Sequence, residues 1–466
     1  MAFQPFARRP AGVLLALSLL AACSDVPPTA PAAAPQPQPQ PQQPAEALAA
    51  LSCTVQVRTE AVACAPSTPS AGGASATILG GQGTSVRFAA TNLRHDTAAG
   101  RFYMDVTVQN LLLNPMGAAD PSWVTGVYAF FYAGPVSATG TVEVYRPDGE
   151  GMFTGGMQTY YHWPELLPRN GVSQPARWAF TVSPSVESFQ FWVLVEADLM
   201  PLLVYDLATG GNRDVWRMAL DGSDPVRLTT HTGDDRNPTA ARGKVVFATF
   251  RNGKPDLYSV PLAGGAETRL TATSTISEGD PALSWDGTRL AYTSDVAIGV
   301  AKVWKASVDL TGAARATPAS FGSEAEPEAA PAWSPFGTRL ALVGTDNGSA
   351  DVYDLALGGF PALLRGGTTA EVDPAWSPDG TRLVYTSNAT GAGDLYMLRL
   401  SDGQVTRLTS GPQAESYATW TPNGRIVYLA FLSGGATELR WLNPDLPGSG
   451  GSIPAAGAPS RPHAVF

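Results

Sequence analysis

Acidic residues recur at one place in the second half of this 466-residue chain, just ahead of short apolar runs. They are Asp234 and Asp235; Glu278 and Asp280; Glu324, Glu326 and Glu328; Glu371 and Asp373; and Glu415. Carboxylates at one repeated phase share one rim of whatever the repeat builds. Asp235, Asp280, Glu328, Asp373 and Glu415 are therefore the candidate binding residues. A ring of this kind attracts a cation, or the Lys and Arg side chains of a partner. Acids that merely solvate turns would give the same pattern. A glycosidase would need two of them about 5 to 10 Å apart across a sugar cleft.

Little else in the sequence points to chemistry. It contains no G-x-S-x-G elbow, no H-E-x-x-H pair, no phosphate-binding glycine loop and no EF-hand series. Its four histidines (His95, His162, His231 and His463) are scattered, too few for a His-based metal site. No catalytic residue, cofactor or metal is assigned. The formal net charge is −10, and only four of the 30 basic residues are Lys. Phosphate binding needs clustered Lys and Arg, so nucleic acid is excluded as the expected partner.

The elements that must hold the acids are strands. Charged residues make up 15% of the chain, and it carries 48 Gly and 40 Pro, a composition of short strands and turns. From Leu202 onward the chain repeats itself. The clearest units are DPALSWDGTRLAYTS from Asp280, APAWSPFGTRLALVG from Ala330 and DPAWSPDGTRLVYTS from Asp373, with degenerate copies from Asn237 and Tyr417. Their turn glycines, Gly243, Gly287, Gly337, Gly380 and Gly424, are spaced 44, 50, 43 and 44 residues apart. In the Ser-Pro-Asp-Gly tetrad of the unit from Asp373, Pro presets φ and Gly takes φ > 0, so the strand turns back on itself. Further short strands follow each hairpin (DLYSV, KVWKA, DVYDL, DLYML and TELRW), most with a third element such as TRLT. A period of 40 to 50 residues with four short strands is the mark of a β-propeller. Five full copies and a leading partial unit from Leu202 predict six blades. Trp333, Trp376 and Trp420 share one phase, with Leu283 in that slot in another copy, and are expected to pack between blades. The first unit lacks its inner strand; the tail Pro462-His463-Ala464-Val465-Phe466 loosely mimics PAWS and is expected to supply it.

The PAWSPDGTRL unit resembles the TolB-type propeller repeat over roughly Leu202 to Asp445. The resemblance implies a six-bladed propeller used for contacts with partner proteins, as in TolB, a soluble periplasmic protein with an amino-terminal α/β domain. This chain departs from that pattern in its first domain and in an expected lipid anchor.

The amino terminus reads as an address and a tether. Arg8 and Arg9 precede the apolar run AGVLLALSLL, which is too short to span a bilayer. Leu20-Ala21-Ala22-Cys23 then resembles the lipobox of bacterial lipoproteins, which implies a signal peptide over 1–22 and acylation of Cys23. An ordinary signal peptide with an incidental cysteine is the alternative. Ser24 after the cysteine suggests the outer membrane by the enterobacterial sorting rule. A Pro/Gln-rich spacer over 23–50 cannot bury enough apolar surface to fold. Cys53 and Cys64 remain as an even pair suited to a disulfide in an oxidising compartment.

Residues 51–200 read as an immunoglobulin-like sandwich, with period-two patterning such as Phe102, Met104, Val106 and Val108 against Tyr103, Asp105, Thr107 and Gln109. The cluster Tyr160, Tyr161, His162 and Trp163 is read as core and rim packing, with a sugar-stacking platform as the other reading. Residues 201–466 form the propeller with its closing tail. The expected whole is all-β: a sandwich followed by a six-bladed propeller. Two functions fit this layout. The first is a lipid-anchored, non-enzymatic envelope protein that binds a protein partner through its propeller. The alternative is a protein that binds or degrades polysaccharide through the acidic rim.

Overall fold

The computed structural model describes residues 49–67, 83–153, 156–272, 275–296, 299–317, 326–345, 348–446 and 448–465. Cys23 and the spacer up to residue 48 lie outside the described residues, as does Glu324.

The chain is all-β. The first ten strands are β1 Ala49–Gln56, β2 Ala61–Pro66, β3 Val86–Asp96, β4 Arg101–Asn110, β5 Val127–Val136, β6 Val142–Val144, β7 Gly149–Met152, β8 Met157–Trp163, β9 Ala176–Val182 and β10 Ser188–Ala197. They make two antiparallel sheets, ordered β2-β1-β10-β5-β8-β7 and β3-β4-β9-β6. One core joins the sheets, with Leu51, Phe131 and Phe191 facing Phe102, Met104 and Trp178. Strand alternation divides the aromatic quartet. Tyr161 and Trp163 are buried in this core, Tyr161 stacked on Trp178 with ring centres 4.9 Å apart. Tyr160 and His162 lie on the outer face against Tyr128. Cys53 and Cys64 face each other across β1 and β2 and are joined by a disulfide.

From Leu202 onward there are six four-stranded antiparallel sheets, the six blades. Blades two to six are built from consecutive strands, their inner strands being Asp235–Ala241, Glu278–Leu283, Glu328–Trp333, Glu371–Trp376 and Ala414–Trp420. Blade one is assembled from both ends of the region. Leu202–Thr209, Asn212–Ala219 and Val226–Arg227 form its outer three strands, and the tail strand Pro459–Ala464 pairs with Leu202–Thr209 as the fourth. The tail strand packs against the inner strands of blades two and six, which closes the ring.

The apolar cores lie between blades rather than within them. Trp333 clusters with Ala291 and Val303 of blade three, Trp376 with Ala341 and Val352 of blade four, and Trp420 with Val384 and Leu395 of blade five. The core of blades six, one and two also takes in Ala118 and Met200 and continues onto Leu113 and Leu166 of the sandwich side. There Asp120 pairs with Arg425 at 2.7 Å, and the Asn423 amide donates to the Ala119 carbonyl. These contacts reach the hairpin turn of blade six. The sandwich therefore meets the propeller face that carries those turns, opposite the face where the inner strands begin.

Candidate site at the channel mouth

Each inner strand slips register at one point because one residue near its start bulges, the third in five strands and the fourth in Ala414–Trp420. The slips fall between Arg236 and Thr239, Gly279 and Ala282, Ala329 and Ala332, Val372 and Ala375, and Ser416 and Thr419. The tail strand slips where it crosses Val204 and Asp206. A proline follows the bulged residue in five of the six strands, and with no N–H it cannot bond to the ladder there. The bulged residues are Asn237, Asp280, Ala330, Asp373, Tyr417 and Arg461, and all six have left-handed φ between 37° and 54°. A side chain in that region costs about 1 kcal/mol or more. The repeat accepts that cost six times and so lines one cavity of about 150 Å³ at the propeller axis with these residues.

The five candidate acids fall in two places. Asp280 and Asp373 are bulged residues and line the channel. Asp235, Glu328 and Glu415 are two positions off that phase and are buried between strands. Asp235 is held by Arg251 at 3.1 Å. Glu328 accepts from the Thr317 hydroxyl at 2.8 Å and the Val303 amide at 3.0 Å, and pairs with Arg315. Glu415 accepts from the Thr409 hydroxyl at 3.1 Å, and burial raises its pKa. These three acids tie strands together. The reason is spacing: in a strand, a residue two positions away from a bulge no longer shares its direction.

Within the channel, Asp280 accepts from Arg461 Nη1 at 2.6 Å and from Asn237 Nδ2 at 3.0 Å. Asp373 accepts from the Ser416 hydroxyl at 2.6 Å. Burial raises the pKa of Asp373, and the charge of Asp280 adds to that, against Ser416 and Arg461. Burial works against the charge of Arg461, but Asp280, Tyr417 and Asp373 outweigh it and hold its pKa above the usual guanidinium value. Its guanidinium also lies over the Tyr417 ring, 4.7 Å from the centre. In ring order, Arg461 of blade one is two blades from Asp280 on one side and two from Asp373 on the other.

Arg461, Arg213 and Arg236 are the part of the mouth that the search for acids overlooked. Arg461 had a legible signal, because the tail Arg-Pro-His stands in phase with Asp280-Pro281-Ala282 and Asp373-Pro374-Ala375. Arg213 pairs with buried Asp206 at 2.9 Å. Burial pushes the Asp206 pKa up to about 6 despite Arg213. Among the described residues, no group of three or more His, Cys, Asp or Glu is placed to hold a metal ion.

Comparison with known proteins agrees with this architecture. Residues 280–449 match the family model described as the TolB beta propeller domain. Among solved structures, TolB from Acinetobacter baumannii superposes with a TM-score of 0.50 at 20% identity, covering 57% of this chain and 66% of that one. A TolB described as putative, from Agrobacterium tumefaciens, gives 0.46 at 15% identity, covering 56% and 90%. A prolyl endopeptidase gives 0.35 at 19% identity, covering 48% and 36%. No curated protein matches the sequence. The propeller repeats are TolB-like, and at these identities the likeness is one of fold.

Proposed function

We propose that this chain is a cell-envelope binding protein that grips a protein partner at the mouth of its propeller channel and carries out no reaction of its own. In this reading acylated Cys23 anchors it, in the outer membrane by the residue that follows, and the Pro/Gln-rich spacer holds it off the lipid. The supporting observation is the state of the channel acids. Asp280 is already satisfied by Arg461 and Asn237, and Asp373 by Ser416. Groups committed in this way shape a polar, preorganised mouth rather than a reaction centre. The mouth opens on the face away from the sandwich, where a partner can reach it.

Crosslinking of the tagged protein in its native envelope, followed by mass spectrometry, tests this. A partner whose crosslinks map to the channel mouth, and whose recovery falls in D373N, is the expected result. Recovery of the chain alone would favour the polysaccharide reading, for which exposed Phe250 beside the mouth offers a stacking surface. Hydrolysis of a glycan, lost in D280N or D373N, would overturn the non-enzymatic reading outright.

A further inference from the structure

Beside the channel, where blades one, two and three meet, lies a second cavity of about 290 Å³. Three arginines are among the residues that line it, each from a different strand: Arg213, Arg236 and Arg461. Among the described residues one acid, Asp206, lines it. Asp234 and Asp280, which pair with Arg236 and Arg461, are not among its walls. Asp206 is buried and committed, accepting from the Asn237 amide at 3.3 Å and pairing with Arg213. In a chain with 30 basic and 40 acidic residues, this lining reverses the overall balance. Two of the guanidiniums are braced on rings. Arg461 lies over Tyr417, and Arg236 lies 5.5 Å from the centre of Phe250, itself 42% exposed. Arg236 turns Nε and Nη2 to one oxygen of Asp234, and Arg461 turns Nη1 to Asp280, so an incoming carboxylate would share these guanidiniums with acids already in place, through their remaining N–H groups.

We propose that this cavity recognises a carboxylate, namely an Asp or Glu side chain of a protein partner. The assignment rests on the reading of the chain as a protein binder and deepens it. The mouth is then two-sided: Asp280 and Asp373 on the channel wall, and arginines in the adjoining cavity. A partner loop bearing an acid beside a base would match both sides at once, which gives orientation as well as attraction.

Titration calorimetry on the full-length, detergent-solubilised protein tests the assignment with an N-acetylated, amidated hexaglutamate peptide. The expected result is saturable binding that weakens with added salt and falls at least about tenfold in R236Q, since a charge-assisted bond is lost. R399Q serves as a control, because Arg399 is exposed and pairs with Asp402 in blade five. Arg236 is half exposed, so its replacement leaves the fold intact. An absence of binding, equal binding in R236Q and R399Q, or tighter binding of hexalysine would each overturn the proposal. So would a preference for a galacturonate oligomer, which would assign the cavity to an acidic sugar. Failure here with a partner still crosslinked at the mouth would leave the binding role standing without this site.

Discussion

Nη1 of Arg461 lies 2.6 Å from Oδ1 of Asp280, across 181 residues of sequence, and joins the closing strand to blade three. One pair thus sets the charge inside the channel and helps latch the ring. The latch itself is mostly backbone pairing and burial: Pro459, Pro462 and Ala464 are buried, and Ala464 faces Leu203. Deleting residues 455–466 should therefore lower the melting temperature by well over 10 °C or abolish a cooperative melt. R461A should cost only a few degrees, given about 2–4 °C per kcal/mol for domains approaching this size. D280N should cost no more than R461A, and the double variant less than the sum, because the two residues share one interaction. Thermal melts by circular dichroism measure all of this, and an unchanged melt after the deletion would sink the latch.

Three tryptophans that look identical in the repeat do not do identical work. Trp333 and Trp420 donate their Nε1–H to the carbonyls of Ala282 and Ala375 in the preceding blade, at 3.1 and 3.2 Å. Each also carries an arginine over its ring, Arg289 and Arg382 respectively. Trp376 is equally buried, but its Nε1–H has no hydrogen-bond partner among the described residues. W333F and W420F should each destabilise by about 1 kcal/mol more than W376F, the usual net worth of a hydrogen bond. Urea unfolding of the three single variants decides it, and equal losses would show that packing alone sets their role.

The repeat made blade number, turn positions and the interblade tryptophans legible, because each depends on local periodicity and turn chemistry. Even the closing strand could be read, since the tail from Pro462 to Phe466 loosely follows the Pro-Ala-Trp-Ser of the inner strands. What local pattern could not show was the bulge. Counting acids ahead of each inner strand put Asp235, Glu328 and Glu415 together with Asp280 and Asp373. Their side chains part company because the chain turns left-handed at one residue, and a two-residue difference then separates strand tie from channel wall. The arginine cavity was equally hidden, for its three arginines come from three different strands, and Arg461 stands more than 200 residues beyond the other two. The aromatic quartet at Tyr160–Trp163 divided as strand alternation requires, two rings to the core and two to the outer face.

Blade four breaks the turn rule that its neighbours keep. In blade three the Asp286 carboxylate accepts from the Ser284 hydroxyl at 2.5 Å and from the Thr288 amide at 3.0 Å. In blade five Asp379 accepts in the same way from Ser377 and Thr381. Blade four keeps the flanking Ser334 and Thr338 but has Phe336 between them, 75% exposed. F336D should complete the turn and remove an exposed ring, raising stability by about 1 kcal/mol. A higher urea midpoint with an unchanged slope is the expected reading. A lower midpoint would mean that Phe336 gains more from its contact with the Gly380 turn than a capped turn would supply.

Acid should loosen the closing strand through His463. Its Nδ1 accepts from the Ala240 amide at 3.4 Å, its Nε2 lies 3.3 Å from the Thr239 hydroxyl, and burial pushes its pKa down to about 4 from an unfolded value near 6.5. Between those values the unfolded chain binds a proton that the folded chain refuses. Stability conferred by the neutral ring is therefore fully present above pH 6.5 and is lost as the pH falls toward 4. Asp206 works the other way. Its folded pKa of about 6 exceeds the ordinary aspartate value of 3.8, so acidification through that window relieves the cost of its buried charge. The two effects overlap in wild type, and a variant is needed to separate them. H463Q keeps a hydrogen-bonding side chain but does not titrate. Between pH 7 and pH 4.5 wild type should lose up to about 2 kcal/mol relative to H463Q, by urea unfolding at each pH. If the two proteins keep the same difference at both pH values, His463 titrates normally and the closing strand is not acid-sensitive through it.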